Sequence, residues 1–349
     1  MNRRLLLLPL VLVAAACASR PPAWVAVPDN PAEPHLRNVR QLTFGGENAE
    51  AYWSWDNRRL SFQMRGRKGF ECDQILTMDA DGNDERLVSV QGGRTTCAYF
   101  LPGDRRVIFA STHLLGRECP KEPEKPPHVY AWPLLDYDIF SANADGSDLV
   151  RLTDAPGYDA EATVAPDGTI VFTSVRDGDL DIYTMKSDGS DVKRLTDEPG
   201  YDGGPFYSWD GRKIVYRCDH PETPEALAKY RDLLARGLVT PSRMDLWIMD
   251  ADGSNKRRLT NFGKASFGPY MHPDNRHVIF SSNWEDPKGR EFELYMVDVE
   301  TLKVERITNS PQFDGFPMFS KDGKKLVFCS NRNDAKPGET NMFLADWVE

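Results

Sequence analysis

The chain has 349 residues, 28% of them charged and 40% hydrophobic, and a formal net charge of −10. Its 43 Lys and Arg residues are outnumbered by 53 Asp and Glu and form no basic run, which argues against nucleic acid as a partner. The length is ample for a substantial buried core.

Met1–Cys17 (MNRRLLLLPLVLVAAAC) joins two arginines to an apolar run too short to span a bilayer comfortably, followed by small residues. This predicts a secretory signal peptide over 1–17. Ala14-Ala15-Ala16-Cys17 resembles a bacterial lipobox, in which the cysteine is lipidated and becomes the mature N-terminus; ordinary cleavage beside an incidental cysteine is the alternative. By the same resemblance, Ala18 rather than Asp after Cys17 implies the outer membrane. Residues 18–38, rich in Pro and Ala without periodicity, read as an extended tether, and nothing after residue 17 has the apolar length to cross a membrane.

Leu42-Thr43 opens a series continued by Leu87-Val88, Leu152-Thr153, Leu195-Thr196, Leu259-Thr260 and Ile307-Thr308. The spacings of 45, 65, 43, 64 and 48 residues give a unit of 43–48, with two copies enlarged. A period of that size marks a solenoid or a propeller. The copy over 162–196 decides between them. Ala162–Ala165 leads through a Pro166-Asp167-Gly168 turn to the β-branched and aromatic run Thr169–Ser174; Asp181–Met185 and Val192–Thr196 follow, separated by the turn Ser187-Asp188-Gly189-Ser190. Four short antiparallel strands without a helix make a propeller blade. The last copy ends at Asn341–Trp347 without a fourth strand, and the first is preceded by a spare one, Val39–Thr43. Pairing these closes an all-β, six-bladed propeller of four-stranded antiparallel blades over 39–349 and removes its open sheet edges.

Blade one covers 49–88; its Asp79-Ala80-Asp81-Gly82 resembles the start of a calcium loop but lacks the distal Glu, and reads as a turn. Blade two, 96–153, carries a proline-rich insertion at 112–135 that holds His113, Cys119 and His128 and reads as an ordered loop. Blade three is the regular copy. Blade four, 204–260, carries an insertion at 219–244 in which Thr223-Pro224-Glu225 starts a helix and Gly237 stops it; Leu227, Tyr230, Leu233 and Leu234 share its packing face. Blade five has a shorter insertion at 284–292, and blade six is Phe316–Trp347 plus the closing strand.

Aligning the copies places Asn48, Thr95, Asp159, Asp202, Ser266 and Asp314 in one ring at the mouth of the central channel, with Glu50, Cys97, Glu161, Gly204, Gly268 and Phe316 two residues deeper. Asn48, Glu50, Asp159, Glu161, Asp202 and Asp314 are therefore the candidate binding residues, although each Asp also suits a turn cap. Carboxylates held together raise one another's pKa or recruit a cation. The expectation is no cofactor, with a divalent cation at this rim as the exception. Cys72, Cys97 and Cys119 map to one sector of the same face, where a disulfide within the trio is expected and a Cys/His site with His113 is the alternative. Cys218 and Cys329 read as small buried residues, and no G-x-S-x-G elbow or glycine-rich phosphate loop is present.

The recurring L-T, Y-D-x-x-P, turns such as APDG, SWDG and SKDG, and strands IVFTS and DIYTM resemble the WD-repeat-like propeller of the TolB family over 39–349. That resemblance implies a periplasmic propeller; the family places an α/β domain ahead of it, where this chain has a short tether. Two functions compete. One is a lipid-anchored, monomeric binding or scaffold protein engaging an envelope protein or glycan through its loop-bearing face. The other is a glycan lyase or hydrolase at the channel mouth. No His/Lys/Arg constellation breaking the repeat is read beside the acids, which favours the first.

Overall fold

A computed structural model describes residues 23–349. The predicted signal peptide and the lipidation candidate Cys17 lie outside the described residues. Six antiparallel sheets follow one another around a central axis. Blade one is Glu47–Trp53, Arg59–Arg65, Gln74–Asp79 and Arg86–Leu87, and the same order recurs through blades two to five. Each second strand buries one fully enclosed aromatic ring at its centre: Phe62, Phe109, Phe172, Tyr216, Phe280 and Phe328. Removing any of the phenylalanines by alanine substitution leaves a cavity worth roughly 3–5 kcal/mol.

The threonine of the repeated L-T pair has a defined task. Its Oγ1 accepts the backbone N–H that opens the third strand: Ile139 to Thr153 at 2.8 Å, Ile182 to Thr196 at 2.9 Å, Leu246 to Thr260 at 2.9 Å and Leu294 to Thr308 at 2.8 Å. In blade one, where Val88 replaces Thr, Ser89 takes over by accepting from Ile75 N at 3.0 Å. Turn glycines are equally constrained. Gly189 has φ of 84°, and a Cβ there would lie 2.5 Å from Leu152 O.

Blade six combines Asp314–Phe319, Lys325–Ser330 and Asn341–Trp347 with the N-terminal strand Leu36–Gln41, which pairs Leu36 with Trp347 and Gln41 with Phe343. The propeller closes as predicted, and Thr43 Oγ1 accepts Met342 N at 2.9 Å as its counterparts do elsewhere. The strand starts three residues earlier than the predicted Val39–Thr43, because Leu36 is fully buried. Residues 23–38 do not behave as a tether. Val25–Ala26 pairs outside the closing strand, and Glu33, fully buried, binds the Arg332 guanidinium at 3.0 Å and accepts Asn309 N at 3.0 Å.

The two long insertions meet over the channel. Trp132–Pro133 from blade two pairs with Leu238–Val239 from blade four. The predicted helix forms at Pro224–Ala235, capped by Thr223 Oγ1 accepting Ala226 N at 3.2 Å, and Gly237 follows its end with φ of 68°. Leu233 is buried and Leu227, Tyr230 and Leu234 are half-buried. The blade-two insertion is a loop with a short 3-10 turn at His113–Leu115. Among the described residues no helix is long and apolar enough to cross a membrane.

Candidate functional site

Every innermost strand carries a β-bulge at the same place. The register shifts between Ala49 and Tyr52, Thr96 and Tyr99, Ala160 and Thr163, Gly203 and Phe206, Phe267 and Tyr270, and Gly315 and Met318. The first bulged residue sits in the left-handed region each time: Glu50 (φ 54°), Cys97 (54°), Glu161 (57°), Gly204 (57°), Gly268 (58°) and Phe316 (54°). Four of these carry side chains, for which that conformation is costly, and such strain concentrates where a side chain must be aimed.

All six line a cavity of about 890 Å³ on the propeller axis, roofed by Trp132, Leu134, Val239 and Pro241 of the insertions. The deeper ring of the sequence alignment is thus the cavity wall. The outer ring is not. Asn48, Asp159, Asp202 and Asp314 are buried, and each turns to a group of its own blade. Asn48 Oδ1 accepts Arg67 Nε at 2.8 Å, Asp159 binds Arg176 at 3.0 Å, Asp202 meets His220 at 3.2 Å and Asp314 binds Arg332 at 2.5 Å. The expected rim of carboxylates at the mouth is therefore corrected to Glu50 and Glu161, because the bulge re-aims only the deeper residue while its neighbour stays against the second strand. Burial raises Asp314 to about 6 against the opposing pull of Arg332.

Glu161 is the most heavily bonded side chain of the cavity. It accepts from Thr173 Oγ1 at 2.8 Å, Gly204 N at 2.9 Å and Tyr201 OH at 3.2 Å, and forms an ion pair with Arg217. Arg217 also donates Nε to Tyr201 OH at 2.8 Å and lies 5.0 Å from the Trp132 ring centroid. Burial, the largest single influence, lowers the pKa of Arg217, but the Glu161 carboxylate together with the Tyr201 and Tyr158 side chains outweighs it and the net shift is upward. Gly204 permits this approach: a Cβ there would come within 3.0 Å of the guanidinium. Glu50 accepts from Tyr52 OH at 2.9 Å, and burial raises its pKa with help from Glu161.

Opposite these polar groups stands an aromatic wall. Phe267 packs against Phe292 at 4.9 Å and Phe316 at 5.2 Å between ring centroids, with Phe313 completing the group. Tyr52 and Phe206, 6.0 Å apart between ring centroids, also line the cavity, with Tyr99 packed against Tyr52 at 5.4 Å and Tyr270 against Phe206 at 5.6 Å. Blades one to four thus supply Glu50, Glu161, Arg217 and tyrosine hydroxyls, while the phenylalanine faces come from blades five and six, with Lys264, Asn283 and Arg290 of blade five beside them.

The disulfide expected within the cysteine trio forms, and it leaves out Cys97. Cys72 and Cys119 are bridged, with Cα atoms 5.6 Å apart, which fastens the blade-two insertion to blade one. Cys97 is free and faces the cavity; burial, then the Glu50 and Glu161 charges, holds its thiol well above the usual value, so it is no thiolate nucleophile. With two of the three sulfurs bonded and His113 Nδ1 at 2.9 Å from Ser111 Oγ, the Cys/His113 metal alternative falls. Cys218 and Cys329 are free and buried as expected.

Arg217 is the residue the sequence reading overlooked. Its equivalents on the other second strands are Gln63, Ala110, Thr173, Ser281 and Cys329, all uncharged. An arginine at that place breaks the repeat beside Glu161, so the absence of such a cation in the sequence reading is corrected.

No family model matches the chain, and no curated protein does. Solved structures match its fold. TolB from Acinetobacter baumannii superposes with a TM-score of 0.59 at 16% identity, covering 84% of this chain and 65% of that one. An oligogalacturonate lyase in complex with manganese gives 0.52 at 14% identity, over 88% of this chain and 80% of the other. The oligogalacturonate lyase of Vibrio parahaemolyticus gives 0.52 at 12% identity, over 88% and 93%. These likenesses establish the fold.

Proposed function

With the chain a TolB-like six-bladed β-propeller whose axis holds a roofed, two-sided cavity, we propose that it is a binding protein for a glycan segment. The observation that carries this reading is the division of the cavity wall. Phe267, Phe292, Phe313 and Phe316 present ring faces suited to the C–H face of a sugar. Glu50, Glu161, Tyr201 and Arg217 present fixed donors and acceptors to its hydroxyls across the channel. A volume of about 890 Å³ suits one to a few sugar rings and lies within the range of small-molecule sites. The signal and lipobox of 1–17 support a location on the periplasmic side of the outer membrane through a lipid on Cys17, and the chain is proposed to act there as a monomer on envelope glycans. Calorimetric titration with envelope oligosaccharides tests the reading. Saturable one-site binding that weakens at least tenfold in Glu161→Gln is expected; equal affinity in that variant, or no binding by any of them, overturns it.

One observation favours a second reading, a glycan lyase or hydrolase. Glu50 and Glu161 share the cavity in different surroundings: burial pushes Glu50 toward its neutral acid form, while Glu161 is held against Arg217. Two carboxyl groups whose environments diverge are the usual basis for dividing acid and base roles. Two of the fold matches are oligogalacturonate lyases, which is consistent with this alternative. Turnover of the bound oligosaccharide, lost in Glu50→Gln, would decide for it.

A further inference from the structure

Behind the cavity, blade four departs from blades three and six in two positions coupled to a third that it keeps. In blades three and six the second strand ends Ser-x-Arg (Ser174 with Arg176, Ser330 with Arg332), and the arginine neutralises the buried Asp159 or Asp314. Blade four keeps the acid as Asp202 but replaces Ser by Cys218 and Arg by His220. Both substitutions exchange a group that cannot hold a metal well for one that can. The register makes them converge: Asp202 and Cys218 are directly paired across the strands, and His220 follows two residues on along the same face. One ligand atom from each lies within 4.8 Å of the others.

A second observation points to an occupant. Asp202 is 1% exposed, and its Oδ1 has no hydrogen-bond partner although His220 Nε2 is 3.2 Å away. Asp314 also keeps an unpartnered oxygen, but beside a guanidinium, which is permanently charged and repels a cation. The other ring nitrogen of His220, Nδ1, lies 3.2 Å from Glu198, an arrangement in which an outer carboxylate fixes a ligating imidazole. His220 is 23% exposed, so the cluster is reached from solvent without opening the blade.

We propose that Asp202 Oδ1, Cys218 Sγ and His220 Nε2 bind a single borderline divalent cation, of the zinc class, with Glu198 orienting the imidazole. Carboxylate, thiolate and imidazole together suit zinc better than calcium or magnesium, and three protein ligands leave one position for water. Metal binding removes the proton from Cys218. The same strand pair carries Tyr201 and Arg217 on its cavity side, so the ion would pin the segment that positions the cation of the glycan site.

The test uses the full chain, freed of metal by a chelator and titrated with Co²⁺ in place of zinc. One equivalent should bind and produce a thiolate-to-cobalt charge-transfer band; Zn²⁺ should displace it and raise the thermal midpoint. Cys218→Ser should abolish the band, Asp202→Asn and His220→Gln should each weaken binding at least tenfold, and Cys97→Ala should leave the band unchanged. Should Cys218→Ser fail to fold, the partly exposed His220→Gln decides alone. Absence of stoichiometric binding, a band that survives in Cys218→Ser, or unchanged affinity in His220→Gln overturns the proposal. None of these outcomes depends on whether the cavity takes a glycan.

Discussion

Arg217 and Glu50 show how far a single side chain departs from its repeat. Arg217 is nearly buried, with its guanidinium paired to Glu161 and under the Trp132 ring. Truncating one partner of such a pair leaves the other charge uncompensated, at a cost of roughly 3–5 kcal/mol. Arg217→Met should lower denaturant stability by about 3 kcal/mol, and adding Glu161→Gln should recover part of it. Strict additivity of the two changes in urea melts would show the pair to be uncoupled. For Glu50 the sign follows from its raised pKa. The folded state holds the proton above the ordinary value of 4.5, so stability falls as pH rises from there through the folded-state pKa. Glu50→Gln removes that loss. It should melt no lower than the wild type near pH 7, with its relative advantage growing across that window; an advantage that shrinks with rising pH contradicts the assignment. Glu50 and Glu161 were legible as a pair from the alignment alone. Their separation from Asp159, Asp202 and Asp314 was not, because a bulge is a backbone event and an Asp beside a turn reads the same whether it faces a channel or its own blade.

At the scale of elements, the two insertions and the N-terminal segment carry what the blades do not. The Cys72–Cys119 bridge closes a loop of 47 residues, for which chain-entropy arguments give roughly 4 kcal/mol. Reduction or the Cys72→Ala/Cys119→Ala pair should therefore lower stability by several kcal/mol and loosen the roof, read as faster amide exchange over 116–131. Unchanged exchange there would mean that the roof is held by the Trp132–Pro133 and Leu238–Val239 pairing alone. The helix was readable from Thr223-Pro224-Glu225 and Gly237 because caps are local. The pairing of the two insertions was not, since nothing local specifies a contact between segments over a hundred residues apart. Residues 23–38 were misread for a related reason. Their composition is that of a linker, and the interactions that order them, Glu33 with Arg332 and Leu36 in the core, are with the far end of the chain. Deleting 23–35 should accordingly lower the thermal midpoint by several degrees; a midpoint equal to that of the intact chain would restore the tether reading.

The whole molecule was the most legible level. Six copies of one period, five of them carrying a Leu-Thr or Ile-Thr pair, leave few alternatives to a closed ring, and the orphan strands at the two ends specify the closure. The ring then does what no single blade can: it brings six bulges to one axis, with Glu50, Glu161 and Arg217 facing the phenylalanines of blades five and six. The account stands or falls on whether that axis holds the ligand. Its most direct test is the crystal structure of the chain with an oligosaccharide that it binds. The account predicts a sugar ring in the channel, stacked on Phe267 or Phe316 and hydrogen-bonded to Glu161 and Arg217. Ligand density confined to the outer face of the insertions, around Leu114 and Leu115, with the channel empty, would contradict it.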